Sequence, residues 1–208
     1  MRGKVSSIVH YHDSFFVGFL MDGILLLEKQ KNTSHYRIQP LPVNSGVFCL
    51  KKDRFQDIVW IGTDGQGVYL YSNPLYSIKS VVLGNYTEKI ERPVRALLQD
   101  DERTFWVGTK GNGILKIYDY EVDKNLSDCR AEVLTTSNSA LGSNAVYCFA
   151  RSHRNLLWIG EEEGLTYYSY REKRIKRLPV RIGNEEFKYI HDIYETADSE
   201  LWLASVGM

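Results

Sequence analysis

Short apolar runs separated by polar breaks fill this chain. Around Trp106, PVRALLQDD is followed by a break at residues 102–104, then FWVGT, then KGNG, then ILKIYDY. β-Branched and aromatic residues occupy the runs while Gly, Asp and Asn occupy the breaks, the distribution of short antiparallel strands joined by hairpins. A less regular fourth run closes each unit, as HYRIQPLP, SIKSVVLG, AEVLTT and RIKRLPV. Each unit therefore predicts four strands.

The strand centres are apolar at consecutive positions, as in Ile58-Val59-Trp60-Ile61. Such strands are covered on both faces. One phrase recurs at Trp60, Trp106, Trp158 and Trp202, at intervals of 46, 52 and 44 residues. The copies read WIGTDGQGVYLYS, WVGTKGNGILKIYD, WIGEEEGLTYYSY and WLASVGM, and FVGFLMDGILLLEK from Phe16 aligns with the Trp60 copy without a gap. Doubly covered four-stranded units at a period of roughly 40 to 50 residues predict the blades of a propeller. A two-layer sandwich would leave one face of each sheet wet, the Gly and β-branched content excludes a helical repeat, and a parallel β-helix needs shorter coils. The predicted fold is all-β: a β-propeller of four-stranded antiparallel blades, here a partial array of four repeats and the start of a fifth. The units divide at about 1–43, 44–90, 91–140, 141–186 and 187–208, within one segment spanning the whole chain.

Each residue of the phrase has a physical task. Phe16, Trp60, Trp106, Trp158 and Trp202 are expected to bridge neighbouring blades, and burying ~150–250 Å² of aromatic surface contributes at most roughly 4–6 kcal/mol. Gly62, Gly108 and Gly160, two residues on, share the tryptophan's face and leave room for a neighbour. Thr63 and Thr109 are placed to bond locally at the strand end, and Asp100 to cap the turn that follows it.

Composition narrows the partners. The 26 Lys plus Arg balance 26 Asp plus Glu, so no field favours nucleic acid or an anionic membrane, and no nucleic-acid contact is expected. No run approaches the ~18 apolar residues of a membrane span, and the N-terminus lacks the apolar region of a secretory signal. Three cysteines do not fit a disulfide framework, and Cys49 and Cys148 share one slot of two repeats as small hydrophobes. Sequons stand at Asn32, Asn85 and Asn125.

The phrases RPVRALLQDDERTFWVGTKGNGILKIYD and LGSNAVYCFARSHRNLLWIGEEEGLTYYSY resemble the two-component regulator propeller repeat: a valine-led strand, an Asp, LWIGT, a Gly-rich turn and an aromatic final strand. The resemblance runs from about Val5 to Met208. It implies the extracytoplasmic sensor part of a hybrid two-component system of Bacteroides type, in which seven-bladed propellers precede a small β-sandwich, a membrane helix, a histidine kinase, a receiver and a DNA-binding module. A periplasmic location, an oligosaccharide released from a polysaccharide as ligand, contacts with the remaining blades and domains of the parent, and a homodimeric parent are all implied in this way. Departures are Glu161-Glu162-Glu163 for Thr and the Gly-rich turn, Ala204-Ser205 for Gly-Thr, and Phe16 for Trp. Met208 falls inside the fifth hairpin, so the chain is expected to be a segment of a longer sensor.

In a propeller the loops leading into the innermost strand lie beside the turns between second and third strands, and function collects on that rim. The lead-in loops are 44–46, 91–93, 141–144 and 184–188. Candidate ligand-binding residues are Asn44, Arg92, Asn144 and Lys188 from these loops, and Asp64, Gln66, Lys110, Asn112, Glu161 and Glu162 from the turns. Each is readable as a solvated turn residue or as a partner for sugar hydroxyls. Tyr69, Tyr71, Tyr118, Tyr120, Tyr167, Tyr168 and Tyr170 read as core or edge. His10 and His12 alternate on one strand face without a third ligand at metal-binding spacing, so no metal, cofactor or catalytic residue is assigned. The sequence holds no nucleophile elbow, zinc signature or phosphate loop. A non-catalytic sensor is the leading reading, with an interaction or dimerisation scaffold, and then a propeller lyase or hydrolase, as the alternatives.

Overall fold

The computed structural model describes residues 3–72, 77–81, 92–120 and 129–206. Blade 1 is the antiparallel meander β1 (Val5–Tyr11), β2 (Ser14–Phe19), β3 (Ile24–Lys29) and β4 (Tyr36–Pro40). Blade 2 repeats it with β5 (Val47–Lys52), β6 (Ile58–Thr63), β7 (Val68–Ser72) and β8 (Ser77–Val81). Blade 3 comprises β9 (Val94–Gln99), β10 (Phe105–Thr109), β11 (Ile114–Ile117) and β12 (Ala131–Leu134). Blade 4 comprises β13 (Val146–Arg151), β14 (Leu156–Glu161), β15 (Gly164–Ser169) and β16 (Arg174–Leu178). A small hairpin of β17 (Arg181–Ile182) and β18 (Glu185–Glu186) then leads to the hairpin of β19 (Ile190–Glu195) and β20 (Leu201–Ser205). The stretch read from sequence as a plain lead-in loop, 184–188, thus contains a strand. The first strands β1, β5, β9, β13 and β19 lie against one another as the inner ring. This is the all-β propeller architecture, with four blades and the first hairpin of a fifth.

The seams between blades are the core, and strand alternation builds them. In β6, Ile58 and Trp60 pack into the seam with blade 3, while Val59 and Ile61 pack into the seam with blade 1. In β10 the assignment repeats: Phe105 and Val107 face blade 2, and Trp106 faces blade 4. Trp60 stacks on Phe105 with centroids 3.9 Å apart, and Trp106 meets the edge of Tyr168 at 4.9 Å. Phe16 fills the same slot between blades 1 and 2. Period-two alternation sends neighbours to opposite faces, so a strand with seams on both sides is apolar at every position. Of the tyrosines, Tyr71, Tyr120 and Tyr168 are buried in seams, and Tyr69, Tyr118, Tyr167 and Tyr170 are half-buried.

Each buried indole also has a polar partner. Trp60 and Trp106 donate Nε1 to Asp53 and Asp100, which close the first strands of their own blades, both at 2.8 Å. Asp100 also accepts the Thr104 N–H at 2.8 Å, so it caps the turn as its position predicted. Trp158 has no aspartate in that place, where Ser152 stands, and donates instead to Glu195 of β19 at 3.0 Å. Trp202 departs from the expected bridging role. It is 67% exposed, because among the described residues no further strand packs over β20.

The glycine two residues after the tryptophan sets the distance between blades. A Cβ on Gly62 would stand 2.8 Å from Val94 Cγ1, and one on Gly108 would stand 2.9 Å from Val146 Cγ1. Gly160 meets Ile190 in the same way. Cys49 and Cys148 are free thiols that lie 3.8 and 3.6 Å from the carbonyls of Val94 and Ile190. Burial pushes both thiols up to about 12, so they behave as small hydrophobes rather than reactive groups. Asn32 lies in a described turn, with φ of 60°, whereas Asn85 and Asn125 lie outside the described residues.

Candidate functional site

One backbone bond builds the rim four times. The residue following each second strand donates its N–H to the carbonyl that precedes the first strand of the same blade: Leu20 to Lys4 at 3.0 Å, Asp64 to Gly46 at 2.8 Å, Lys110 to Pro93 at 2.8 Å, and Glu162 to Ala145 at 3.0 Å. Lead-in loop and hairpin turn are thereby tied together on one edge. Adjacent blades are tied as well, since the Asn144 carbonyl accepts Gly111 and Gly113 N–H groups, each at 2.9 Å, and the Glu162 carbonyl accepts Tyr189 N–H at 2.9 Å.

The residues singled out from sequence divide on this rim. Asn44, Asp64, Gln66, Arg92 and Lys110 are exposed, and Asn112, Asn144, Glu162 and Lys188 are half-buried. Glu91, part of one lead-in loop, lies outside the described residues. Several already have structural work. Asn144 Oδ1 accepts Thr136 N–H at 2.9 Å, Glu162 accepts the Ser143 hydroxyl at 3.1 Å, and Lys188 pairs with Glu163 at 2.5 Å. Glu161 is not a surface turn residue at all. It occupies the last position of β14 with no exposed surface, where Thr63 and Thr109 stand in the earlier blades, and its carboxylate accepts the Ser143 N–H. The buried Thr166 hydroxyl and the Gly142 backbone lie against the same carboxyl. Burial raises the Glu161 carboxyl above its ordinary value, against the opposing pull of its hydrogen bonds.

Sequence reasoning missed a second set of residues, produced by a recurring β-bulge. In β5, Val47 pairs with Thr63 and Cys49 with Gly62, which leaves Phe48 unpaired between them. The same shift leaves out Arg95 in β9, Tyr147 in β13, His191 in β19 and Ser6 in β1. A bulge re-aims a side chain by inserting one extra residue into the ladder. Val47 is committed to the seam with blade 1 and Cys49 to the seam with blade 3, so Phe48 between them faces neither. The bulged residues instead meet one another along the inner ring. The Arg95 guanidinium lies over the Phe48 ring at 3.9 Å, and the His191 imidazole stacks on Tyr147 at 4.3 Å with an interplanar angle of 11°.

This row joins the rim electrostatically. Burial, then the positive charges of Arg95 and Lys110, hold His191 below its ordinary value and keep the ring neutral at pH 7. Burial, followed by the negative charge of Glu162, raises the Tyr147 phenol. Arg95 Nε is buried without a hydrogen-bond partner, and no carboxylate pairs with Arg95 among the described residues. The row presents flat ring faces, a guanidinium, a phenol and a neutral imidazole, which together offer stacking surfaces with donors and an acceptor. The signal in the sequence is positional: GVF, PVR, AVY and YIH carry a repeating Val or Ile followed by a residue of a different chemical type in each blade.

The histidines of β1 do other things. His12 pairs with Asp57 at 2.7 Å, and His10 packs on Phe15 with centroids 4.9 Å apart. No group of three metal-ligating side chains occurs among the described residues.

No protein-family model matches the sequence, and no curated protein matches it. Solved structures do match the fold. The extracellular domain of BT3049 from B. thetaiotaomicron, named as a hybrid two component system, aligns over 98% of this chain and 26% of its own length, with TM-score 0.74 and 23% identity. PorZ, a surface component of the type-IX secretion system of Porphyromonas gingivalis, aligns over 97% of this chain and 31% of its own length, with TM-score 0.66 and 16% identity. Virginiamycin B lyase from Staphylococcus aureus aligns over 97% of this chain and 63% of its own length, with TM-score 0.66 and 15% identity. The chain spans under a third of the length of the first two. At these identities the likeness is one of fold, and the fold of this chain is that of propeller proteins, extracellular domains of Bacteroides two-component sensors among them.

Proposed function

We propose that this chain is a non-catalytic recognition segment within the extracytoplasmic propeller of a hybrid two-component sensor, and that its inner rim binds an oligosaccharide derived from a polysaccharide. The observation that carries this reading is the bulged row Phe48, Arg95, Tyr147 and His191, in which one position of an otherwise repeating strand carries a different polar or aromatic group in every blade. Sugar rings stack on aromatic faces through their C–H groups, and their hydroxyls suit the adjoining guanidinium and imidazole. Asn44, Asp64, Gln66, Arg92, Lys110 and Asn112, from the lead-in loops and turns, are the further candidate contacts of this reading. The parent signals by population shift: ligand drives signalling only through a difference in affinity between two arrangements of the sensor dimer. The kinase chemistry belongs to other parts of the parent.

Calorimetry of the chain against a panel of oligosaccharides tests this. One member is expected to bind, Arg95→Ala is expected to weaken it about tenfold or more, the range for a hydrogen bond to a charged group, and His191→Ala roughly two- to tenfold, the range for a neutral one. Turnover of any panel member would overturn the non-catalytic assignment.

A scaffold reading has its own observation. Ile8 and Ile38 of blade 1 are 61% and 62% exposed, and Tyr194 and Trp202 of the last hairpin are each 67% exposed. These are seam surfaces without a blade against them, suited to further blades of a parent ring or to a second copy of the chain. Silence across the panel together with strong self-association would favour this scaffold reading over the sensor.

A further inference from the structure

Lys116 stands where blades 1 and 2 place leucine and blade 4 places Tyr167. It is the cross-strand partner of Trp106 in β11, as Leu70 is of Trp60 and Leu26 is of Phe16. Only 3% of it is exposed. Its ammonium lies 4.6 Å from the Trp106 ring centroid, 4.9 Å from that of Tyr118 and 4.5 Å from that of Tyr168. Among the described residues Glu132 Oε2 is its one ion-pair partner, at the long distance of 3.4 Å, with Asp100 acting from further away, and Tyr118 O–H donates to the same Glu132 oxygen at 2.7 Å. Burial lowers the Lys116 pKa despite Glu132, so the cation is incompletely compensated.

This lysine forms the floor of a cleft of about 850 Å³ between β12 and β16, the outer strands of blades 3 and 4. Such a volume lies in the range of small-molecule sites. The opposite wall carries Lys173, Arg174, Lys176 and Arg177, and among the described residues Glu132 is the one acid that lines the cleft. Glu172 and Glu186 lie outside and neutralise part of that wall: Glu172 pairs with Arg174 and Lys176, each at 2.5 Å, while Arg177 lies at the longer distance of 3.8 Å from Glu186 and donates to the Glu163 carbonyl at 3.1 Å. A chain of zero formal net charge thus concentrates cations at one concave site with an aromatic floor. Low-dielectric walls strengthen the field inside a cleft of one sign.

We infer that the cleft between blades 3 and 4 is a second ligand site, separate from the inner rim, for a small molecule carrying an oxyanion group beside a ring face. The oxyanion lies against Lys173 and Arg177, with Lys116 beneath it, while the ring covers Tyr118 and Tyr168. Carboxylate and phosphate ester share this chemistry, and the test separates them.

Titration calorimetry at low salt uses glucuronic acid, glucose 6-phosphate and neutral glucose as probes against the full chain. At least one charged probe is expected to bind with 1:1 stoichiometry, glucose not at all, and the better of the two charged probes identifies the source of the oxyanion. Two variants are compared: Lys116→Met, which keeps length and removes the charge, and the exposed wall pair Lys173→Asn with Arg177→Gln. Asparagine is chosen because Lys173 has φ of 53°, which it tolerates. Affinity is expected to fall about tenfold or more in each, as lost charge-assisted contacts require. Arg95→Ala is expected to leave it unchanged, which distinguishes this site from the rim. If Lys116→Met does not fold, the wall pair decides. No saturable binding of either charged probe, equal binding of glucose, or a loss confined to Arg95→Ala would overturn the inference.

Discussion

Asp100 shows how much of a seam can depend on one carboxylate. It is 2% exposed and accepts from Trp106 Nε1, Thr104 N–H and, at 3.1 Å, Tyr170 O–H. Asp100→Ala strands three donors at once. With each buried unsatisfied group costing about 1–3 kcal/mol, a loss of roughly 3 kcal/mol or more is expected, readable from urea unfolding at constant m-value. Glu161 predicts the opposite sign. Its carboxyl is raised by burial, so the folded state favours the protonated form, and stability falls as pH rises from the ordinary carboxylate range to the raised folded value. Glu161→Gln keeps an acceptor for Ser143 N–H and removes the buried charge. It is expected to raise Tm at pH 7 and to give little gain near pH 4, where the wild-type carboxyl is protonated. Scanning calorimetry at the two pH values checks this, and a gain of equal size at both would rule out the charge as its cause.

The strand with its bulge is the next unit up. Alternation of β6 and β10 between two seams was legible in the sequence, because four consecutive apolar residues leave no wet face. Gly62 and Gly108 were legible as close-approach positions, and the structure adds what approaches: the valine that opens the next blade's inner strand. Gly108→Ala places a methyl 2.9 Å from Val146 Cγ1 and 3.0 Å from Ala96 Cβ, so blades 3 and 4 must separate locally. Overpacking of this kind costs about 1–3 kcal/mol, and chemical denaturation should show it, while the same substitution at Gly67, whose φ is +74° but whose Cβ meets nothing within 4 Å, tests backbone strain alone. The bulge itself was not legible. One extra residue in a ladder leaves the hydrophobic pattern of the strand nearly unchanged, and its position is fixed only by pairing, Val47 with Thr63 and Cys49 with Gly62. The rim candidates chosen from polar loop residues therefore include Glu161, which is buried, and omit Arg95 and His191.

Across the whole molecule, each core cluster among the described residues joins a blade to its sequence neighbour, so stability follows the seams. Hydrogen exchange should rank the amides accordingly. Protection is expected to be greatest in β6 and β10, whose residues are all buried, and least in β17, β18 and β20, whose residues are exposed or half-buried. Exchange of β20 as slow as that of β10 would contradict this nearest-neighbour account. The same gradient explains why one tryptophan phrase has two fates: Trp106 is fully buried between two blades, and Trp202 stands 67% exposed with the same strand chemistry around it.

The sequence alone determined the strands, their grouping in fours and the double burial that makes them blades, because period, turn residues and consecutive apolar positions are local properties of a chain. It also fixed the tryptophan, aspartate and glycine tasks wherever partners lie within the same repeat or the next. Tertiary structure decided what no local pattern records: which residue each bulge turns toward the inner ring, that Glu161 is buried against Ser143, and that Lys116 replaces a leucine beneath a cationic cleft. The first two depend on strand register and pairing, and the last on residues 52 positions apart, Lys116 and Tyr168, which only the packing of one blade on the next brings together.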